Sequence, residues 1–338
     1  MEDSASFFRK IFRDISRGYS EIKFRGSPVF IKHLTNHDQV DLDDVYSKFY
    51  DHALSRGLPT EEEKLEQLIE DELWSKGKER SIASQKNYIR SLEAAKANLI
   101  LKSQIDKQNE LIKTETEQLY KIQKERALVL ETTCESYSDN AVNEYYILSS
   151  LYKDKKRKKK LYSEDAFFEI ETDELTEIIQ LYNNFIERFA ELKIQEMILQ
   201  DFFYAYFPFC DDTVGFFGVP VCKLTNYQLK LIVFTRVFKN ILENSKFIPE
   251  NIRKDPRALL DFGSMTEEAR EKIEKQKEAS GEGGGTSLVG ATAEDYEYLG
   301  LEAPSQENSL SKAAAEKGGT LSMQDMMKLQ GIVPNKQK

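Results

Sequence analysis

Cysteine is almost missing from this chain of 338 residues: Cys134, Cys210 and Cys222 are the only three. They form no CxxC pair, which excludes a disulfide framework and points to a reducing intracellular compartment. Cys210 and Cys222 flank hydrophobic segments, where a buried, inert thiol is expected. Histidine is as scarce, with His33, His37 and His52 alone. His33 and His37 stand four apart near Asp38 and Asp41, but no HExxH surrounds them, so exposed or partly packed side chains are expected instead of metal ligands. No apolar run approaches the roughly 18 residues of a membrane span, and no signal peptide opens the chain.

The signatures of catalysis are missing too. There is no GxxxxGK[ST], no GxGxxG after a strand and no GxSxG elbow. The EGGGTS stretch at 282–287 matches a phosphate loop in composition alone, lacking the lysine and the preceding strand, and a linker explains it better. Asp41, Asp43, Asp44, Asp211 and Asp212 sit beside caps and turns, where aspartate serves backbone hydrogen bonding. The chain therefore reads as non-enzymatic, with no catalytic residues, no metal site and no cofactor.

Neither glycine nor proline occurs between Gly77 and Pro208. In a helix interior Gly costs about 1 kcal/mol and Pro about 3, so this absence favours helices over turn-rich strands. Beyond Gly263 the aromatics run out, leaving only Tyr296 and Tyr298, while nine of the 16 glycines fall there. Such a segment buries too little apolar surface to offset its ordering entropy, so 264–338 is expected to be a disordered tail. Within it Leu321, Met323, Met326, Met327 and Leu329 outline a short amphipathic segment suited to folding on a partner.

What is present gives a mainly α architecture: an elongated helical body, a long charged helix or helical hairpin, and one small β-hairpin. The first segment, 1–40, opens with FFRKIFRDISRG, which sets Phe7, Phe8, Ile11, Phe12 and Ile15 against Arg9, Lys10, Arg13 and Arg17. Such a helix packs on its own domain or lies on a membrane or partner; Glu2, Asp3 and Asp14 dilute its basic character and favour the former. Alternation on both sides of Arg25-Gly26-Ser27-Pro28 follows, a hairpin signature in which Ile22, Phe24, Val29 and Ile31 share a face. A lone hairpin is marginal, so it must lean on helices or on a partner's sheet edge, and these four are the candidates for edge pairing.

The second segment, 41–160, is a long-helix region. Thr60 and Glu63 spell a capping box, and 79–132 carries heptad-spaced apolar residues. One series is Ile82, Ile89, Leu92 and Leu99; after a slip a second runs through Leu101, Ile105, Ile112, Leu119 and Ile122. Lys96, Gln108, Glu115 and Arg126 interrupt the seam, which suits a hairpin arm or loose coil better than an autonomous zipper, with self-association through this helix as the alternative. The segment ends in a basic loop of seven cations among eight residues: Lys153, Lys155, Lys156, Arg157, Lys158, Lys159 and Lys160, with Asp154 the exception. A solvated loop is the plain expectation; an acidic protein partner or a nucleic acid are the functional ones. The net charge of −10 and the lack of interleaved aromatics argue against nucleic acid. The third segment, 161–263, is the apolar helical core, with Phe216 and Phe217 as exposed-anchor candidates in the loop between Pro208 and Pro220.

Three segments together, GYSEIKFRGSPVFIKHLTNHDQV (18–40), FFGVPVCKLTNYQ (216–228) and NIRKDPRALLDF (251–262), resemble tail- and baseplate-hub-assembly proteins of contractile-tailed bacteriophages. The resemblance spans about residues 18–262 and carries no binding residue across. It implies a chaperone or scaffold-like factor that contacts a larger tail or baseplate-hub protein in the host cytoplasm, or else a structural subunit retained in the virion.

Overall fold

The computed structural model describes residues 4–163, 169–245, 248–280 and 291–299. Helix α1 (Ser4–Arg17) buries Phe8, Ile11 and Ile15 on one face and leaves Arg9, Lys10 and Arg13 exposed on the other, so it packs on its own domain. Gly18 ends it in the left-handed region, and the Gly18 N–H donates to the Asp14 carbonyl at 3.1 Å. Strands β1 (Tyr19–Phe24) and β2 (Ser27–Lys32) are antiparallel, with Tyr19 opposite Lys32 and Phe24 opposite Ser27. Arg25 and Gly26, at φ 47° and 80°, form the two-residue turn that suits strand twist.

The hairpin is not unsupported. A short strand β3 (Leu151–Tyr152) pairs antiparallel with β2, Ile31 opposite Leu151, giving the order β1-β2-β3. Ile22, Phe24, Val29 and Ile31 are all buried in the protein's own core. This corrects the expectation of a partner-pairing hairpin: β3 takes the outer edge of β2, and the apolar face has already found its cover.

Between β2 and β3 run α2 (Asn36–Ser55), α3 (Glu61–Glu70), α4 (Lys76–Lys96), α5 (Lys102–Leu130) and α6 (Cys134–Ser149). Full capping boxes start three of them, Thr35 with Asp38, Thr60 with Glu63 and Thr133 with Ser136. The stretch 79–132 is two helices, and the chain turns at 97–101, where the heptad register slips between Leu99 and Leu101. All four polar residues that interrupt the seam have partners within the chain. Arg126 donates to Glu79 and Glu61, each at 2.7 Å, and Lys96 donates to Asp261 at 2.7 Å. Gln108 reaches the Leu92 carbonyl at 2.9 Å, and Glu115 accepts from Gln85.

After β3 come α7 (Thr172–Ile186), α8 (Glu191–Ile198), α9 (Thr213–Phe217), α10 (Asn226–Asn244), α11 (Glu250–Arg253), α12 (Pro256–Ser264), α13 (Glu267–Ser280) and α14 (Ala293–Leu299). The apolar stretch after Ile194 does not continue as one α-helix to Pro208. It changes at Ile198, and Asp201–Phe209 is a 3-10 run with Pro208 inside it, a residue that cannot donate into an α ladder.

The chain forms two units, each discontinuous in sequence, which cut across the divisions 1–40, 41–160 and 161–263. The first comprises Met1–Ile82, Lys121–Asn244 and Lys254–Pro256. Its fully buried side chains include Ile15, Ile31, Ile178, Met197, Phe203 and Phe238, so the core of 161–263 is shared with α1 and the sheet.

The second unit comprises Ala83–Tyr120, Ser245–Arg253 and Arg257–Lys338. Helices α13 and α14 lie inside 264–338, and α14 buries Tyr296, Tyr298 and Leu299, using the two aromatics that the segment retains. Met323, Met326 and Met327 lie outside the described residues. Asp295 is fully buried and accepts from the backbone and hydroxyl of both Ser103 (2.6 and 2.8 Å) and Thr292 (2.7 and 2.9 Å). Burial acts to raise its pKa, but these hydrogen bonds outweigh it and hold the carboxyl below the usual range. Asp295 thus serves as a cap for the start of α5, supplied from almost 200 residues away. Replacing it by alanine is expected to cost about 1–3 kcal/mol in urea unfolding and to raise exchange at the Ser103 amide. Unchanged exchange at that amide would refute the capping role.

Candidate functional site

The basic run is a built turn. Leu151–Lys153 and Lys159–Leu161 face each other: the Lys153 N–H donates to the Lys159 carbonyl at 2.9 Å and the Leu161 N–H to the Leu151 carbonyl at 2.8 Å. Asp154, the one acidic residue of the run, organises the tip. Its carboxylate accepts from the Lys159 N–H at 2.6 Å and the Lys158 N–H at 3.1 Å, and its own carbonyl accepts from Arg157. The Lys159 hydrogen bond leads the causes that depress its pKa. The six lysines are exposed.

Arg157 departs from its neighbours. At φ 56° it turns back toward the body and is half-buried, its guanidinium 5.1 Å from the Tyr19 ring centre and 3.3 Å from the Gly18 carbonyl. A neighbouring donor, Gln228 Nε2, reaches the Ser16 carbonyl at 3.3 Å. These two contacts occupy carbonyls at the C-terminal end of α1. Gln228 is itself fixed at the start of α10, where it and Thr225 exchange backbone hydrogen bonds as a capping box. The Asn226 N–H donates to the Leu34 carbonyl at 2.8 Å, so the end of β2 and the start of α10 are joined.

These contacts frame a cavity of about 430 Å³. Arg17, Lys32, Arg157 and Lys223 line it, with His33, Thr35, Gln228, Phe217 and Val219. Asp38 is its only carboxylate and is already paired with Lys32. The same ion pair also lines a second cavity of about 300 Å³, beside Tyr146, Tyr152 and Lys160.

Beneath the first cavity lies a buried polar chain. Ser20 Oγ and His33 Nε2 are hydrogen-bonded at 2.9 Å, and Ser20 also helps to hold down the pKa of Asp14, which burial raises. Which of the two groups donates follows the histidine tautomer. Nδ1 has no hydrogen-bond partner among the described residues. The order differs from that of a nucleophilic triad, in which the carboxylate orients the histidine. Here it engages the serine, and Ser20 is 1% exposed.

Burial, with a smaller contribution from the Arg157 charge, pushes His33 down to about 3. The unfolded chain binds a proton below the ordinary histidine value, whereas the folded chain does not until about pH 3. Stability from this group is therefore complete above about pH 6.5 and is lost as pH falls toward 3, at about 1.4 kcal/mol per pH unit. Urea unfolding between pH 7 and 4 is expected to be shallower by that slope in His33→Gln. Parallel pH profiles would refute the assignment.

The other sequence candidates fall elsewhere. His33 directly follows β2, whereas His37 is exposed on α2, so the two share no helix face. Phe216 and Phe217 are half-buried: Phe216 packs 6.4 Å from Phe12 and 6.0 Å from Tyr206, and Phe217 lines the cavity. The more exposed apolar side chains nearby are Phe209 (61%), Val221 (56%) and Val214 (46%). Cys134 and Cys210 are buried, with thiols pushed up chiefly by desolvation, but Cys222 is exposed, since the turn at Val221–Lys223 leaves the surface. Arg17, Lys32 and Lys223 carry no sequence signal of a site, because positions 17, 32, 157 and 223 meet only through the fold. Among the described residues no group of three or more His, Cys, Asp or Glu is placed to hold a metal, and no helix is long and apolar enough to cross a membrane. No family model, curated protein or solved structure matches this chain.

Proposed function

We propose that the protein is a non-enzymatic assembly factor for a bacteriophage tail or baseplate hub, acting by protein–protein contact in the host cytoplasm. The observation that carries this reading is the apolar surface along 204–221. Tyr204, Tyr206, Phe209, Val214 and Val221 are exposed there. Arg236 ties this segment to α10 by donating to the Cys210 and Asp211 carbonyls, and Val233 and Val237, adjacent on α10, are exposed as well. A surface of this kind suits a factor that shields apolar regions of a larger tail protein before incorporation. The resemblance of 18–40, 216–228 and 251–262 to hub-assembly proteins points the same way. The site candidates of this reading are accordingly Phe209, Val214 and Val221 beside Phe216 and Phe217.

Co-expression with the larger tail or hub protein of the same phage tests it. A stable complex is expected, weakened about tenfold or more in Phe209→Ser/Val214→Asp, with circular dichroism and melting unchanged. Absence of complex, or full binding by that variant, would refute the reading. Finished particles separate the alternatives: an assembly factor is absent, whereas a structural subunit is present at fixed ratio. A nucleic-acid reading is favoured by one observation, the six exposed lysines of the 153–160 turn. It predicts a salt-sensitive association that Lys→Gln changes there abolish.

A further inference from the structure

We propose that the cavity between the end of α1, the end of β2, Arg157 and the start of α10 binds a small organic phosphate of mononucleotide size. Such a site is independent of any role in assembly. Four cations, Arg17, Lys32, Arg157 and Lys223, line one half-open cavity against a single carboxylate among the described residues. Asp38 is matched to Lys32, and Arg17 and Lys223 have no ion-pair partner among the described residues. Arg17 also feels the Asp14 carboxylate, yet the lining keeps a positive excess around a concave surface, which an oxyanion with more than one negative charge relieves.

The competing negative end of α1 is covered, because Gln228 and Arg157 occupy the Ser16 and Gly18 carbonyls. Its last residue, Arg17, points the local charge the other way. Phe217 and Val219 give the cavity one apolar wall, which a bare inorganic anion does not use but a base or other planar group does. The volume of about 430 Å³ is of the size that holds a mononucleotide. Gly18, which joins α1 to β1 at the cavity, has φ 69°, a backbone conformation that L side chains rarely adopt.

Calorimetric titration of the full chain with adenosine 5′-monophosphate and, separately, with inorganic pyrophosphate tests the proposal. Both are expected to bind, the mononucleotide more tightly through the apolar wall, with affinity falling as salt rises. Arg17→Gln/Lys223→Gln alters two exposed side chains without touching the Arg157 contact and is expected to weaken both ligands about tenfold or more. Lys155→Gln/Lys156→Gln/Lys158→Gln, on the neighbouring turn, is expected to change affinity by less than about threefold. No binding of either probe at about 1 mM would overturn the proposal, since a built site exceeds that affinity. So would equal losses in the two variants, which would show attraction to the basic surface as a whole. Tighter binding of pyrophosphate than of the mononucleotide would overturn the organic-phosphate assignment.

Discussion

The pairing of Ile31 with Leu151 is the contact on which the rest depends. It closes a loop of roughly 120 residues, at an entropic cost of about 4 kcal/mol on the logarithmic scaling of loop closure. Burial of Val29, Ile31 and Leu151, each at 2% exposure or less, supplies a comparable gain for the first two or three side chains. Once the pair forms, the outer edge of β2 is occupied and the hairpin needs no partner. The residues just after β3 are then delivered beside the end of α1. Everything between the two strands leaves the sheet as helices and returns to it.

That delivery changes what a run of lysines means. Seven cations in eight residues would ordinarily repel one another into an extended, solvated loop. Here Asp154 collects two lysine backbone amides, and the chain doubles back so that residue 161 meets residue 151. The arginine of the run is then separated from the lysines. Its planar group stacks on Tyr19 and reaches the Gly18 carbonyl, a task to which a lysine ammonium is poorly shaped. The six lysines form an outward surface, while Arg157 completes an inward one with Arg17, Lys32 and Lys223.

Elements whose signal is local were legible in the sequence. The capping box at Thr60, the Arg25-Gly26 turn and the amphipathic α1 each depend on residues a few positions apart, whereas the boxes at Thr35 and Thr133 came only with the structure. The heptad slip near residue 100 marked the turn between α4 and α5, although neither glycine nor proline stands there. What periodicity does not carry is partnership at long range. Leu151-Tyr152 is too short to read as a strand, and Asp295 looks like part of a polar tail until Ser103 is beside it. The cavity was illegible for the same reason. Arg17 shows only as one cation on a basic helix face, and Lys32 and Lys223 show no pattern. The Ser20–His33 hydrogen bond, with Asp14 close by, brings together α1, β1 and the residue after β2 with no motif to announce it.

The central claim is that residues 153–160 are a fixed turn that seats Arg157 at the end of α1. Residue-resolved amide exchange of the native protein tests it most directly. The Lys153, Lys158, Lys159 and Leu161 amides are expected to exchange on the order of a hundredfold or more slowly than in an unstructured chain. Asp154→Ala is expected to release Lys158 and Lys159 first. Exchange of all four amides at unstructured rates, with the remainder of the sheet protected, would contradict the account.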